Sequence, residues 1–136
     1  MTAGGSALKL RLADGSTALE TARLAVLDHL APFAPSAKAV YAIELVLEEV
    51  LTNQLKYAAA PIDLRLHVEA GLAVLEFEDG GAAFDPLQAP APPVPASLDD
   101  APVGGLGLML VRRFAKTASY ERIGERNRLT IGVALG

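Results

Sequence analysis

Apolar residues recur with two different periods along this chain. In several short segments about every second residue is apolar, a pattern typical of half-buried β-strands. These segments are residues 8–12, 62–69, 72–79, 118–123 and 127–135. Only Ala70-Gly71 separates the second segment from the third, so these two predict an antiparallel hairpin. The first segment alternates leucine with basic residues, which indicates a strand at the edge of a sheet.

A longer apolar period predicts helices. The first runs over roughly 16–31, after the turn Asp14-Gly15-Ser16, and ends near Pro32. The second runs from Ser36 to about Ala59, where Pro61 closes it by removing a backbone donor. A third opens at Gly104 and ends near Lys116. One face of the second helix is apolar and is formed by Ile43, Val46, Leu47 and Val50.

The order of these elements predicts the fold class. A strand, two helices, two strands, a long segment, a helix and two strands give an α/β two-layer sandwich, with the helices covering one face of a mixed, mostly antiparallel sheet. Residues 86–103 contain six of the nine prolines and no Lys or Arg. Their composition fits a linker, but the flanking pieces are too small to fold alone. We therefore expect one domain, residues 1–136, with 86–103 as a loop inside it.

Composition narrows the function. The net charge of −4 offers no basic footprint for DNA or RNA, so we expect no direct nucleic-acid binding. The absence of cysteine excludes disulfides, thiolate metal sites and a cysteine nucleophile. No apolar run reaches membrane-spanning length, and the first residues lack the pattern of a signal peptide. These features predict a soluble cytoplasmic protein with no membrane partner.

Two polar residues on the second predicted helix are candidates for chemistry. Glu49 and Asn53 are four residues apart, so they project from one face of the helix and can address one ligand. A carboxylate beside an amide oxygen can accept a proton and help to hold a hard cation such as Mg²⁺. Glu44 and Glu48 lie on a separate stripe of the helix, which we expect to be exposed to solvent. Taken alone, the Glu49–Asn53 pair is also compatible with exposure to solvent.

Two glycine-containing segments are candidates for binding a nucleotide. Asp79-Gly80-Gly81-Ala82-Ala83-Phe84-Asp85 begins where a strand ends, and an aspartate there can accept from an exocyclic amine while glycine admits a flat ring. Gly104-Gly105-Leu106-Gly107 opens a helix, where unpaired amides favour phosphate. Each segment alone is equally consistent with an ordinary turn or helix start.

In this order and spacing the three segments resemble the GHKL ATPases, the superfamily that includes DNA gyrase, histidine kinases and mismatch-repair ATPases. Glu49 to Asn53 matches the E-x-x-x-N motif, Asp79 to Asp85 the D-x-G-x-x-F-D motif, and Gly105-Leu106-Gly107 the G-x-G motif. The resemblance covers almost the whole chain. The segments LEEVLTNQLKYA, GGLGLMLVRRFAKTASYER and NRLTIGVAL are similar to the small anti-sigma serine kinases of bacterial partner-switching systems.

The resemblance implies roles for single residues. Glu49 would be the catalytic base that takes a proton from a serine of a partner protein, and Asn53 would hold Mg²⁺. Asp79 would accept from the adenine amino group, and residues 86–103 would form the ATP lid. The nucleotide-binding set would comprise Asn53, Asp79, Gly81, Phe84, Gly104, Gly105, Leu106, Gly107 and Thr130, with Gly81 and Thr130 completing the adenine pocket.

The resemblance also implies partners. The kinase would sequester a sigma factor or a similar regulator, would phosphorylate a STAS-domain anti-anti-sigma protein, and would form a homodimer. The chain departs from the family at Gln54 and Tyr57, where a small residue and a histidine are common. It also has Val103 where related lids often end in a basic residue.

Two alternatives to a serine kinase follow from these features. One is a non-catalytic, ATP-responsive binding module, which the lid without basic residues favours. The other is a detached histidine-kinase catalytic domain, which shares the motifs but normally follows a phosphoacceptor helical hairpin that this chain does not carry ahead of them.

Overall fold

A computed structural model describes residues 7–13, 15–57, 61–83 and 113–136, with the backbone alone at residues 15, 16 and 53–57. Its helices and strands are β1 (Leu8–Leu12), α1 (Gly15–Leu30), α2 (Ala37–Tyr57), β2 (Ile62–Glu69), β3 (Leu72–Asp79), β4 (Thr117–Ile123) and β5 (Arg126–Ala134), with a 3₁₀ turn at Ala31–Phe33.

The strands form one five-stranded sheet in the order β1-β2-β3-β5-β4. All four neighbouring pairs are antiparallel. The predicted α/β sandwich is confirmed, and its sheet, expected to be mixed and mostly antiparallel, is antiparallel throughout the described strands. β1 lies at one edge, as its alternation of leucine and basic residues indicated.

Two short connections produce the local pairings. The β2–β3 hairpin turns at Ala70 and Gly71, which have φ angles of 51° and 77°. Two central residues with positive φ give a turn whose twist matches that of the flanking strands. The β4–β5 hairpin turns at Gly124, where φ is 59°. The remaining pairings, β1 with β2 and β3 with β5, join segments that are far apart in the sequence.

One face of the sheet is covered by α1 and α2. α1 contributes a buried residue every fourth position, and α2 buries the predicted face of Ile43, Val46, Leu47 and Val50. The strands add inward-facing residues such as Leu64, Leu75, Phe77, Leu129 and Ile131. This core fixes which side chains of β3 and β5 face the helices, because alternate residues of a strand point to opposite faces.

The other face of the sheet carries charged side chains. Asp63 of β2 lies 3.0 Å from Arg11 of β1 and 2.7 Å from Arg126 of β5. Glu78 of β3 lies 3.3 Å from both Arg126 and Arg128. We call this row the open-face ion pairs. They connect four of the five strands on the side opposite the helices.

Candidate nucleotide site

α2 directs Glu49 towards one end of the sheet. The helix begins beside the end of β5, where the Ser36 amide donates to the Leu135 carbonyl at 2.8 Å. Its last residue, Tyr57, is separated by four residues from Ile62, the first residue of β2. β2 begins at the same end of the sheet at which β3 finishes, since Asp63 pairs with Glu78. The second half of α2, which carries Glu49 and Asn53, therefore approaches the Asp79 end of β3.

Glu49 is a half-buried carboxylate on this part of the helix. Its Oε2 atom is buried and has no hydrogen-bond partner among the described residues. Burial raises the pKa of the Glu49 carboxyl above its usual value, and the neighbouring Glu48 carboxylate raises it further. Glu48 is exposed, whereas Glu44 is bonded to Arg23 of α1 at 3.2 Å. Of these three acids, Glu49 is therefore the one with an unpartnered buried oxygen.

The residues at this position fit a hard cation. The unpartnered buried carboxylate oxygen of Glu49 is a donor of the type that Mg²⁺ prefers, and the sequence has an amide residue, Asn53, four positions later. Asn53 lies in α2, four residues after Glu49, and its side chain is outside the described part of the structure. Among the described residues, no group of three or more His, Cys, Asp or Glu side chains is placed to hold a metal ion by itself.

Asp79 ends β3 in a tight turn. Its Oδ1 accepts a hydrogen bond of 2.8 Å from the Gly81 amide, two residues later. An aspartate that bonds the backbone two residues on makes an Asx turn, which explains why an aspartate stands where the strand stops. Asp79 is only 4% exposed. The structure thus brings together Asp79 and Gly81, two residues of the predicted adenine pocket.

Asn127 contacts the same turn from the next strand. It pairs with Asp79 in the β3–β5 register and is 7% exposed. Its Nδ2 donates to Asp79 Oδ1 at 3.0 Å and to the Ala82 carbonyl at 2.9 Å. Its Oδ1 accepts from the Tyr120 hydroxyl and, at 3.1 Å, from Arg122. Sequence reasoning missed Asn127.

Thr130 does not join this group. It is three residues after Asn127 on β5, and its neighbours Leu129 and Ile131 belong to the core. Alternation along the strand therefore places Thr130 on the open face, opposite Glu76, whereas Asp79 and Asn127 lie on the helix-covered side. The structure does not bring Thr130 to the Asp79 turn, and the β5 residue that contacts this turn is Asn127.

The remaining predicted positions lie outside the described residues. They are Phe84, the glycine-rich segment Gly104, Gly105, Leu106 and Gly107, and the lid at 86–103. Of the third predicted helix, residues 113 and 114 are described and are helical. The phosphate end of the site stays a prediction.

A separate cleft lies at the other end of β5. It has a volume of about 300 Å³, lies between the start of α2 and the end of β5, and is lined in part by Lys38, Arg113 and Lys116. Val133 and Ala134 belong to its wall, whereas Asn127 stands at the start of the strand. At about 3.3 Å per residue, roughly 20 Å separates the two ends. This cleft is distinct from the Asp79 turn.

Two helices over one face of an antiparallel sheet, a half-buried glutamate on the second helix and a buried aspartate at a strand end agree with the expected class of nucleotide-binding domain. Residues 12–133 match the family model of the histidine kinase-like ATPase domain. The chain belongs to this family, which implies ATP binding and confirms the resemblance drawn from its motifs. It is also 40% identical over 101 residues to the serine/threonine-protein kinase BtrW of Bordetella bronchiseptica, a match that covers 71% of each protein.

Solved structures repeat the fold. The RsbU and RsbW domains of Rv1364c from Mycobacterium tuberculosis superpose with a TM-score of 0.67 and 15% identity over 96% of this chain. This chain spans about a third, 32%, of the length of that one. The histidine kinase AdeS of Acinetobacter baumannii superposes with a TM-score of 0.53 and 19% identity, covering 95% of this chain and 68% of AdeS. Among the described residues, no helix is both long enough and apolar enough to cross a membrane.

Proposed function

We propose that this chain is an ATP-dependent protein-serine kinase that acts in the cytoplasm as an anti-sigma factor. In this proposal it sequesters a sigma factor, or a similar regulator, and phosphorylates a STAS-domain antagonist on serine. The observation that carries the proposal is Glu49, whose carboxyl has a raised pKa and a buried oxygen without a described partner. The 40% identity to a serine/threonine-protein kinase supports a hydroxyl group as the acceptor.

Glu49 has the properties of a general base. A carboxyl whose pKa is raised towards the working pH abstracts a proton more effectively than one with an ordinary pKa. In the proposed reaction the serine Oγ–H proton passes to the Glu49 carboxylate, and the Oγ forms a bond to the γ-phosphorus of ATP. The bond from that phosphorus to the β–γ bridging oxygen breaks, and ADP leaves.

Asp79 and Asn53 are assigned to the nucleotide. The buried Asp79 carboxylate would accept from the adenine amine, and Gly81 leaves room beside it for the ring. Asn53, with Glu49 nearby on the helix, would hold Mg²⁺, which offsets the charge of the phosphates when bound. The glycines at 104–107 and the lid at 86–103 are proposed to cover the phosphates. A homodimer through the edge strand β1 belongs to the same proposal.

The test of the kinase uses the neighbouring acids on α2. Purified protein is incubated with Mg-ATP and the STAS-domain protein encoded nearest to it, and intact mass reports one added phosphate. We expect Glu49→Ala to lower the transfer rate by about 10²–10⁴-fold while the Kd for ATP changes little. Glu48→Ala is the matched control, because Glu48 is adjacent but exposed. Equal rates in wild type and Glu49→Ala would contradict the proposal.

A non-catalytic ATP-responsive module is the second candidate, favoured by the absence of Lys and Arg from residues 86–103. In that case the wild type binds ATP and its partner but adds no phosphate. A histidine-kinase catalytic domain, the third candidate, gives a phosphate that is lost in acid. Phosphoserine survives the same treatment, so one acid step distinguishes the two kinases.

A further inference from the structure

We propose that Asn127 is the positioning residue for nucleobase recognition, and that it fixes the Asp79 carboxylate so that the site selects a base with an exocyclic amine. The inference rests on the proposed function, in which Asp79 accepts from adenine. Asn127 lies outside the three motifs, and its hydrogen bonds connect β5 with β3 and β4.

The orientation of the Asn127 amide is determined by its neighbours. On one side its Nδ2 faces three acceptors, Asp79 Oδ1 at 3.0 Å, the Ala82 carbonyl at 2.9 Å and the Gly81 carbonyl at 3.4 Å. On the other side its Oδ1 faces two donors, the Tyr120 hydroxyl and the Arg122 guanidinium. A flipped amide would set donor against donor and acceptor against acceptor. Asn127 can therefore direct only its side-chain amide hydrogens towards the Asp79 turn.

The turn itself is held at several points. Gly81 donates from its amide to Asp79 Oδ1, and its carbonyl accepts from Arg122 at 2.8 Å. Because Asp79 and Asn127 are both more than nine-tenths buried, water competes little for these bonds. The Oδ1 atom of Asp79 is thus held by two donors, one of them from β5, and the backbone from Asp79 to Ala82 is held with it.

A fixed carboxylate is a selective partner for a purine. It offers an acceptor to the 6-amine of adenine, and it opposes the 6-oxo group of hypoxanthine with a second acceptor. Sites built to pair a particular donor reject analogues that lack it, because buried polar groups are then left unpaired. A carboxylate free to rotate would lose part of this discrimination. Asn127 is therefore expected to act on the ratio of affinities for the two bases more than on affinity for the phosphates.

The experiment compares the Kd for ATP with the Kd for inosine triphosphate, by calorimetry, in the wild type and in Asn127→Ala. We expect the wild type to prefer ATP and the variant to lose about tenfold of that preference. The Kd for inosine triphosphate should change much less. A residue that serves the fold alone would weaken both nucleotides equally, and that result, or an unchanged ratio, would overturn the inference.

Two further variants keep the test decisive. Ser119→Ala is the matched control beside Tyr120 on β4, since Ser119 is exposed and pairs with Thr130 on the open side of the sheet, and its ratio should equal that of the wild type. If Asn127→Ala does not fold, Tyr120→Phe removes one donor to Asn127 Oδ1 and should lower the ratio by about two- to fivefold. No change in Tyr120→Phe would then overturn the inference. A wild type without preference for ATP would instead show that adenine recognition by Asp79, and thus the proposed function, is wrong.

Discussion

The buried oxygen of Glu49 has a consequence for stability as well as for chemistry. Because burial raises the pKa of the Glu49 carboxyl, ionising this group costs free energy in the folded state that it does not cost in the unfolded chain. Folding is therefore least hindered by this group when it is protonated, below its ordinary pKa of 4.5. The free energy of unfolding therefore falls as the pH rises through the raised pKa, which is the sign expected for a group whose pKa is higher in the folded state than in the unfolded chain.

We predict that Glu49→Gln increases the free energy of unfolding relative to wild type at neutral pH, and that this difference shrinks as the pH falls towards 4.5. Urea unfolding at several pH values measures the difference in unfolding free energy between the two proteins. The contributions of the other titrating groups cancel in this difference. A constant difference for Glu49→Gln would contradict the assigned pKa shift.

Residue by residue, the sequence predicted part of the site. The spacing of Glu49 and Asn53 and the position of Asp79 at a strand end are local properties, and the structure places Asp79 at such an end. Asn127 depends on which strand lies beside β3, and a single sequence does not state that. Its signal was a polar residue in phase with Leu129, Ile131 and Val133, the buried positions of β5. Thr130 is out of phase with them.

At the scale of elements, periodicity determined most of the fold. β2 and β3 have the bounds expected from their alternation, and α1 and α2 begin and end within two residues of the predicted limits where those lie in the described part of the structure. These segments were predictable because burial against the sheet enforces their pattern. The strand order was not, since pairing β3 with β5 is a long-range choice that local pattern leaves open.

The start of α2 is stabilised by a side-chain cap. Ser36 Oγ accepts a hydrogen bond of 3.0 Å from the Ala39 amide, one of the donors left unpaired at the start of a helix. We predict that Ser36→Ala lowers the free energy of unfolding by about 1 kcal/mol. Ser36→Asp, which can still cap the helix, should retain most of the stability. Chemical denaturation of the three proteins tests this, and equal losses in both variants would rule out capping as the cause.

At the scale of the whole molecule, the open-face ion pairs hold the sheet on the side that no described helix covers. Glu78 contacts two arginines and its side chain is 14% exposed. We predict that Glu78→Gln costs about 1.5 kcal/mol of unfolding free energy at low salt. The cost should shrink in 1 M NaCl, where the screening length falls to about 3 Å.

Glu69→Gln is the control for this prediction. Glu69 also lies on the sheet, but its side chain is 69% exposed and the nearest ionisable side chain is His67, 3.7 Å away. Its replacement should change the unfolding free energy by less than about 0.5 kcal/mol at either salt concentration. A salt-independent loss for Glu78→Gln would indicate that packing, rather than charge, explains its effect.

The pairing of β3 with β5 also connects segments that are far apart in the sequence. Eight register pairs, from Leu72 with Ala134 to Asp79 with Asn127, join β3 to β5 and so connect the described elements before residue 80 to the C-terminal hairpin. Asn127 donates a hydrogen bond to Asp79 across this pairing, so a nucleotide that binds Asp79 would bind only the state in which β3 and β5 are paired. At a concentration 100 times its Kd, such a ligand adds about 2.7 kcal/mol to folding stability. The melting temperature of the domain would then rise with the concentration of ATP.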